Sequence, residues 1–372
     1  MHQLIVKQNN QVTTESNCNT IWELYDLSLN NNLPNSSLEG RIHIIGGYEH
    51  QITYLQNRYP GFYVHSDKFY VFFKDPEVLR ICTANFSTDG NGCTEQDILK
   101  VKFIRGQFSE NFNPEDYIFR NNTKIKSFDE FYLFSNMTTL PNEMFKGCTN
   151  LKSINATQID IYQGNGMSYS GSFQNCSSLE KIYMPKITEL GTGMFQNCTS
   201  LKYAVFPLVS AFGRGDYVFN GSNNLEYIYV GKFINTQGGD TWHRTVMFCG
   251  LTGLKVLDLG DQYTTYGFWQ CCNCISLKAI IIRTPDAVPQ PPQSASEVIK
   301  PISEDNGNSY KNAWGNTNVK FFVPDEMLSQ YKSDAKWAPM KDHTYALSTF
   351  VLSDYIDFEI PEIGNLYSTE TT

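Results

Sequence analysis

The sequence predicts an α/β solenoid: a single curved parallel sheet of stacked repeats with an irregular convex side, an α+β N-terminal cap region and a C-terminal strand-helix cap. Three observations predict it. The segments FQNCSSLEKIYMP (173–185) and FQNCTSLKYAVFP (195–207) carry the same residues in the same order, 22 positions apart. A looser form of that template recurs through the middle of the chain. The flanks read instead as ordinary strands and helices.

The template is Phe, then Cys, Leu and an aliphatic residue at successive intervals of three. It fits Phe145-Cys148-Leu151-Ile154, Phe173-Cys176-Leu179-Ile182 and Phe195-Cys198-Leu201-Ala204. Phe219-Ser222-Leu225-Ile228 and Phe248-Leu251-Leu254-Leu257 replace the Cys, and Cys271-Cys274-Leu277-Ile280 puts Cys in the Phe slot. A degenerate first copy sits at Phe119-Asn122-Ile125-Phe128, and the successive spacings are 26, 28, 22, 24, 29 and 23 residues. A period of 20 to 30 residues around a Leu-x-x-Ile core is the mark of a leucine-rich repeat solenoid. LEKIYM and LEYIYV are short strands whose Leu and Ile enter a core that one repeat cannot close alone. Stacking gives each strand a parallel neighbour and buries the apolar slots as columns. Phe and Cys belong to the return leg, one a large filler and the other a small polarizable one.

Composition excludes several classes. The 372 residues are 41% hydrophobic and 14% aromatic, too rich in Tyr and Phe for disorder. A net charge of −9 offers no basic surface for a phosphate backbone. The N-terminal stretch MHQLIVKQNNQVTTESNCN has one short apolar run and no small-residue cleavage site, so no secretion signal is expected there. No apolar run of ~18 residues is long enough to span a bilayer. The ten cysteines are therefore expected to be reduced thiols.

LPNEMFKGCTNLKSI and FQNCSSLEKIYMP resemble the BspA-like leucine-rich repeats of gut and oral bacteria, some protists and gut phages. NNTKIKSFDEFYLFSNMTTLP (121–141) looks like the opening segment of gut-phage and Bacteroidetes members, and VKFFVPDEMLSQYKSDAKW (319–337) is similar to their closing strand-helix cap. The resemblance covers roughly residues 38–345 and implies the solenoid fold. It implies no one function, because the family is a scaffold with many binding roles.

The expected organisation is an N-terminal extension (1–37), a β-α-β unit with a helix-loop-helix cap (38–111), the solenoid (112–282), a Pro/Ser-rich excursion (283–312), a C-terminal cap (313–350) and a C-terminal extension (351–372). In the cap, GRIHIIG and FYVHSDKFYVFF are strands around the helix of EHQITYLQNRYPG, long enough a crossover for parallel pairing. Asp75 and Pro76 supply an N-cap and an N1 proline for the next helix, and Thr94 with Asp97 forms a capping box for another. Between them STDGNGC resembles a calcium loop of the EF-hand type, with Asp89, Asn91 and Gly92 at positions 3, 5 and 6 if Ser87 is position 1. Position 1 then has no carboxylate and Asp97 arrives one residue early, so a plain inter-helix turn is the simpler reading.

No phosphate loop, HExxH, nucleophile elbow or dinucleotide fingerprint is present. Cys271, Cys272 and Cys274 of CCNC, with Cys249, are the sharpest metal candidate. Two of them occupy core-facing repeat slots, which favours buried thiols. No catalytic, cofactor-binding or metal residues are assigned, and no cofactor is expected.

If Leu and Ile point inward, their neighbours point outward by alternation. The middle of the concave sheet then offers Tyr183, Tyr203, Val205, Tyr227, Tyr229 and Val256 side by side as a candidate binding face. The same residues are good strand formers that stack across rungs, and alternation does not separate the two roles. The C-terminal extension carries Phe350, Leu352, Tyr355, Phe358 and Ile360, expected either to dock on another chain or to fold back on the solenoid's own flank.

These features point to a non-enzymatic binding or assembly protein. The phage resemblance, the expected lack of a secretion signal and the chain outside both caps favour a tail, fibre or capsid-associated component of a gut phage virion, assembled in the bacterial host cytoplasm. A bacterial cell-surface adhesin, or a carbohydrate-binding module, is the alternative. The expected partners are other virion proteins or copies of the chain, with a host-surface protein or glycan as further candidates, and neither nucleic acid nor membrane.

Overall fold

A computed structural model of the chain describes residues 2–8, 11–18, 40–45, 47–58, 60, 62–66, 68–102, 118–163, 171–212, 217–232, 248, 250–263, 271, 274–289, 318–364 and 366–367. The chain divides into two compact units, residues 1–102 with 133–136, and residues 103–132 with 137–372.

The first unit is built on a four-stranded sheet in the order β2-β1-β3-β4. β1 (His2–Gln8) and β2 (Gln11–Cys18) pair antiparallel, and β1 also pairs antiparallel with β3 (Gly40–Ile45). After helix α1 (Glu49–Arg58), β4 (Phe62–Ser66) returns parallel to β3. The expected strand-helix-strand is present. Of the expected extension, residues 2–8 and 11–18 are instead strands of this sheet, with β1 between β2 and β3 on the edge that β3 would otherwise leave free, and residues 19–37 lie outside the described residues. Helix α2 (Pro76–Phe86) starts where Asp75 accepts the Glu77 and Val78 amides at 2.9 and 3.3 Å. Helix α3 (Glu95–Leu99) carries the Thr94–Asp97 capping box.

The second unit is the solenoid. Its principal strands are β5 (Ser127–Phe128), β7 (Ser153–Ile154), β9 (Lys181–Tyr183), β11 (Tyr203–Phe206), β13 (Tyr227–Val230), β14 (Val256–Asp258) and β15 (Ala279–Ile281). β16 (Lys320–Val323) and β17 (Thr344–Ala346) of the cap continue the ladder. All these pairs are parallel and in register, so equivalent residues stack as columns. Leu151, Leu179, Leu201, Leu225, Leu254 and Leu277 are fully buried, as are Ala204, Ile228, Leu257 and Ile280 one slot on.

Two features depart from the expected single sheet. β9, β11 and β13 to β17 form one seven-stranded sheet, whereas β5 and β7 pair separately. β7 ends at Ile154, and directly after it the Asn155 side chain accepts from the amide and hydroxyl of Thr157 at 3.4 and 2.8 Å, a local turn. The convex side is also more regular than expected. β6 (Thr139–Pro141) pairs with β8 (Ile161–Gln163), and β10 (Glu189–Leu190) with β12 (Ala211–Phe212), both parallel.

The return leg explains the rest of the template. The Phe145, Phe173, Phe195 and Phe219 rings stack in sequence at 5.4 Å, within 10° of parallel. Where Cys or Ser fills the Cys slot, its side chain hydrogen-bonds to the Phe-slot carbonyl one rung back. Cys148, Cys176 and Cys198 donate to Phe119, Phe145 and Phe173 at 3.0, 3.1 and 3.2 Å. Ser222 replaces Cys and still donates to Phe195 at 2.8 Å, and Cys274 donates to Phe248 at 2.9 Å. Between Phe and Cys lies a left-handed residue, Asn121, Asn175 and Asn197 at φ 57°, 64° and 59°, or Gly147, Gly221 and Gly250 at 75°, 79° and 79°. Asn and Gly are the residues that tolerate this region. Gly147 has a second reason: a β-carbon there would collide with the Asn121 side-chain oxygen.

The cap closes the stack. Phe321 of β16 pairs with Ile280, and Trp337 packs edge-on against Phe321 and Tyr331 while donating to the Pro289 carbonyl at 2.8 Å. Helix α4 (Leu328–Ser333) supplies Tyr331, which makes this the expected strand-helix cap. Of the expected excursion, residues 290–312 lie outside the described residues. Among the described residues no helix is long and apolar enough to cross a membrane.

The slot bond yields a stability order. Cys176→Ser keeps a donor, as Ser222 does, whereas Cys176→Ala removes the donor and the sulfur's packing, at a cost of about 1–2 kcal/mol. Urea unfolding is expected to rank wild type above Ser and Ser above Ala. An alanine variant as stable as the serine variant would show that volume, not the bond, selects this slot.

Candidate functional site

The in-register pairing places two outward columns on the seven-stranded sheet. One runs Lys181, Tyr203, Tyr227, Val256, Ala279 and Lys320, and the other Tyr183, Val205, Tyr229, Asp258, Ile281 and Phe322. The six residues expected to share a face therefore do share it. The face is not open. Val205, Tyr227 and Val256 are fully buried and Tyr203 is 6% exposed, with Tyr183 and Tyr229 half-buried beside them.

The cover is the chain's own C-terminal segment. Phe350, Ile356 and Ile360 are buried against this face, and Leu352, Tyr355, Phe358, Ile363 and Tyr367 pack around them. Every residue expected to form a docking extension thus lies on the sheet of its own chain. Of the two alternatives for this segment, folding back on its own solenoid is the one seen, on the candidate face and not on a flank, so the face expected to be open is covered: both surfaces are apolar, and burying each against the other removes both from water. Phe350 meets Phe322 edge-on at 5.0 Å, and Phe358 stacks on Tyr203 at 5.8 Å. Gly364, at φ 48° and ψ −127°, turns the segment back in a conformation open to glycine. Tyr367 then returns to the middle of the sheet, 4.9 Å from the Phe350 ring.

Two polar latches sit within this apolar contact. Glu362 accepts from Lys181 Nζ at 2.9 Å and from the Tyr203 hydroxyl at 3.0 Å. Burial alone would raise its carboxyl, but the Lys181 and Tyr203 bonds outweigh that and hold it below the ordinary glutamate value. Burial pushes the Tyr203 hydroxyl up to about 12, with Glu362 adding to the effect. The second latch centres on Asp258, which is fully buried. Arg283 grips it from Nε at 3.0 Å and Nη2 at 2.9 Å, and the Tyr367 hydroxyl donates to it at 2.7 Å. Since the Tyr367 proton goes to Asp258, Tyr227 is the donor in their 2.6 Å contact. Arg283 also lies 4.7 Å from the Tyr367 ring centre and donates to the Leu366 carbonyl at 3.3 Å.

Lys181, Asp258, Arg283, Glu362 and Tyr367 were not singled out from sequence. The available signal was the acidic Asp258 at an outward strand position among Tyr, Val and Ile, which requires a partner if that face is covered.

The metal candidates are differently placed. In the STDGNGC loop the Asp89 carboxylate is bonded by Lys68, by the Tyr70 hydroxyl at 2.7 Å and by the Asn91 amide at 2.9 Å. An ammonium group thus holds the carboxylate that a cation would need. Asp97 accepts from Thr88 and from the Thr94 amide and hydroxyl, and although burial opposes it, these bonds lower its pKa to about 2. Of CCNC, Cys272 and its companion Cys249 lie outside the described residues. Cys271 and Cys274 are buried, and burial drives the Cys274 thiol well above its usual value. Among the described residues no three His, Cys, Asp or Glu side chains converge as a metal site.

Two outcomes test the latches. Arg283→Met leaves a buried carboxylate without its cation and is expected to cost about 3–5 kcal/mol, much of it recovered in the Asp258→Asn/Arg283→Met double variant. Chemical denaturation checks this, and equal losses in both variants would refute the pairing. Glu362 has a lowered folded pKa, so its contribution is fully present above its ordinary value of 4.5 and lost as pH falls through the lowered one. Hydrogen exchange in residues 352–367 is expected to accelerate selectively across that acid window, and Glu362→Gln to flatten the response.

Residues 113–245 match the family model of the BspA type leucine rich repeat region, in six copies. No curated protein matches. The chain is similar to a leucine-rich repeat protein from Bacteroides ovatus, at 16% identity and a TM-score of 0.27, over 51% of this chain and 47% of that one. It is also similar to a leucine rich cell surface protein from Faecalibacterium prausnitzii, at 16% identity and a TM-score of 0.23, over 50% and 57%. The chain spans about half the length of these solved structures. With Phe, Asn or Gly, Cys and Leu each stacked in its own column, residues 113–245 are a BspA-type leucine-rich repeat region.

Proposed function

We propose that this chain is a non-enzymatic binding and assembly protein, serving as a structural component of a gut bacteriophage particle. The observation that supports binding most directly is the tyrosine-bearing face itself. It holds residues 350–367 by ring stacking, an ion pair and shared hydroxyl protons. That is how a recognition surface holds a peptide, with aromatic anchors around a few placed charges. The leucine-rich repeat scaffold suits such a role, since stacked rungs present many side chains in fixed register.

The placement in a phage particle is supported by the likeness of residues 121–141 and 319–337 to gut-phage and Bacteroidetes members of the family. Mass spectrometry of density-banded phage particles is the test. The chain is expected in fixed proportion to the major particle proteins, in the tail, a fibre or the capsid. Its recovery instead from washed bacterial cells, where added protease removes it, would replace this placement with a cell-surface adhesin.

A further inference from the structure

We propose that the tyrosine-bearing face also takes the C-terminal segment of a second copy of the chain, so that copies link by exchanging residues 351–367. The proposal rests on the binding reading above and names the partner.

The segment lies on the sheet without being part of it. Its backbone bonds are local, Tyr355 and Ile356 to Leu352 and Leu366 to Ile363, and its hold on the sheet comes from side chains. No described strand of the sheet is contributed by residues 351–367. Lifting it therefore leaves the parallel ladder paired. Charge complementarity favours the pairing: residues 351–367 contain Asp354, Asp357, Glu359 and Glu362 and no Lys or Arg. The face offers Lys181, which pairs with Glu362, and the Lys202 ammonium lies 5.9 Å from the Phe358 ring centre, while Arg283 is matched by Asp258 of the face itself. In a chain of net charge −9, that attraction is local to this surface. A pivot is present as well. Phe350 is held on Phe322, whereas Val351, immediately beyond it, is 50% exposed.

A second copy carries the identical segment, so each contact made within a chain is available between chains, the condition for domain swapping. The difference is effective concentration, roughly millimolar for a short flexible tether. The segment therefore stays on its own sheet in dilute solution and is shared when copies are crowded, as in an assembling particle.

The experiment uses the full chain and a fluorescein-labelled peptide of residues 351–367. Sedimentation is expected to shift from monomer toward dimer as concentration rises, and excess peptide to return dimers to monomers. Raising salt is expected to weaken the dimer by screening the carboxylates. The Glu362→Gln chain, whose own segment is less firmly latched, is expected to bind the probe about tenfold more tightly than wild type, because more of its face is free. A chain that stays monomeric at every concentration, dimers that persist in excess peptide, or a scrambled peptide that competes equally would each overturn the proposal. None of these results bears on whether the chain is found in phage particles, so failure here leaves the broader reading to its own test.

Discussion

The bond from the Cys or Ser side chain of the Cys slot to the Phe-slot carbonyl of the preceding rung, made at Cys148, Cys176, Cys198, Ser222 and Cys274, sets the spacing on which the rest of the solenoid depends. That carbonyl already accepts the amide three residues on, at 3.1 Å from Cys148 to Phe145 and 3.0 Å from Cys176 to Phe173. The thiol bond uses its second lone pair and joins the turn to its neighbour. Phenylalanine stacking then fills the space between the turns. With the return legs locked, the strands on the other side have one register in which to pair. The outward columns, and so the candidate site, follow from that register.

Much of this was legible in the sequence. A spacing of three between Phe, Cys, Leu and Ile, repeated every 22 to 29 residues, gives the rung, its core and the faces of its strands. The left-handed slot was not read from the sequence, although its signal, Asn or Gly directly before Cys in FQNC and FKGC, lies within the repeat itself. What could not be read was which surfaces meet. Residues 1–37 looked like an extension because a hairpin that pairs with β3 carries no trace of its partner in its own pattern. The C-terminal aromatics were evident, but their destination depends on Glu362 reaching Lys181 across a separation of 181 residues. Local spacing holds no information about such contacts.

The site combines two kinds of contact with different consequences. Aromatic and aliphatic burial supplies adhesion but little direction. The two polar latches fix where the segment sits, since a buried carboxylate without Arg283, or a tyrosine without its proton partner, is expensive to leave unmatched. The latches also lie at different rungs, Glu362 over β9 and β11 and Tyr367 over β13 and β14. A segment in a shifted register would satisfy at most one of them.

The thiol ladder has a bearing on where such a protein can survive. Cys148, Cys176 and Cys198 each turn their sulfur toward a carbonyl one rung back, and burial raises the Cys148 thiol to about 12 and the others further. Thiolate is the species that attacks disulfides and meets oxidants. These sulfurs therefore take almost no part in redox exchange while the stack is closed. These three sulfurs are thereby kept from cross-linking under oxidising conditions as well as reducing ones, and the ladder they form does not depend on the redox state around it.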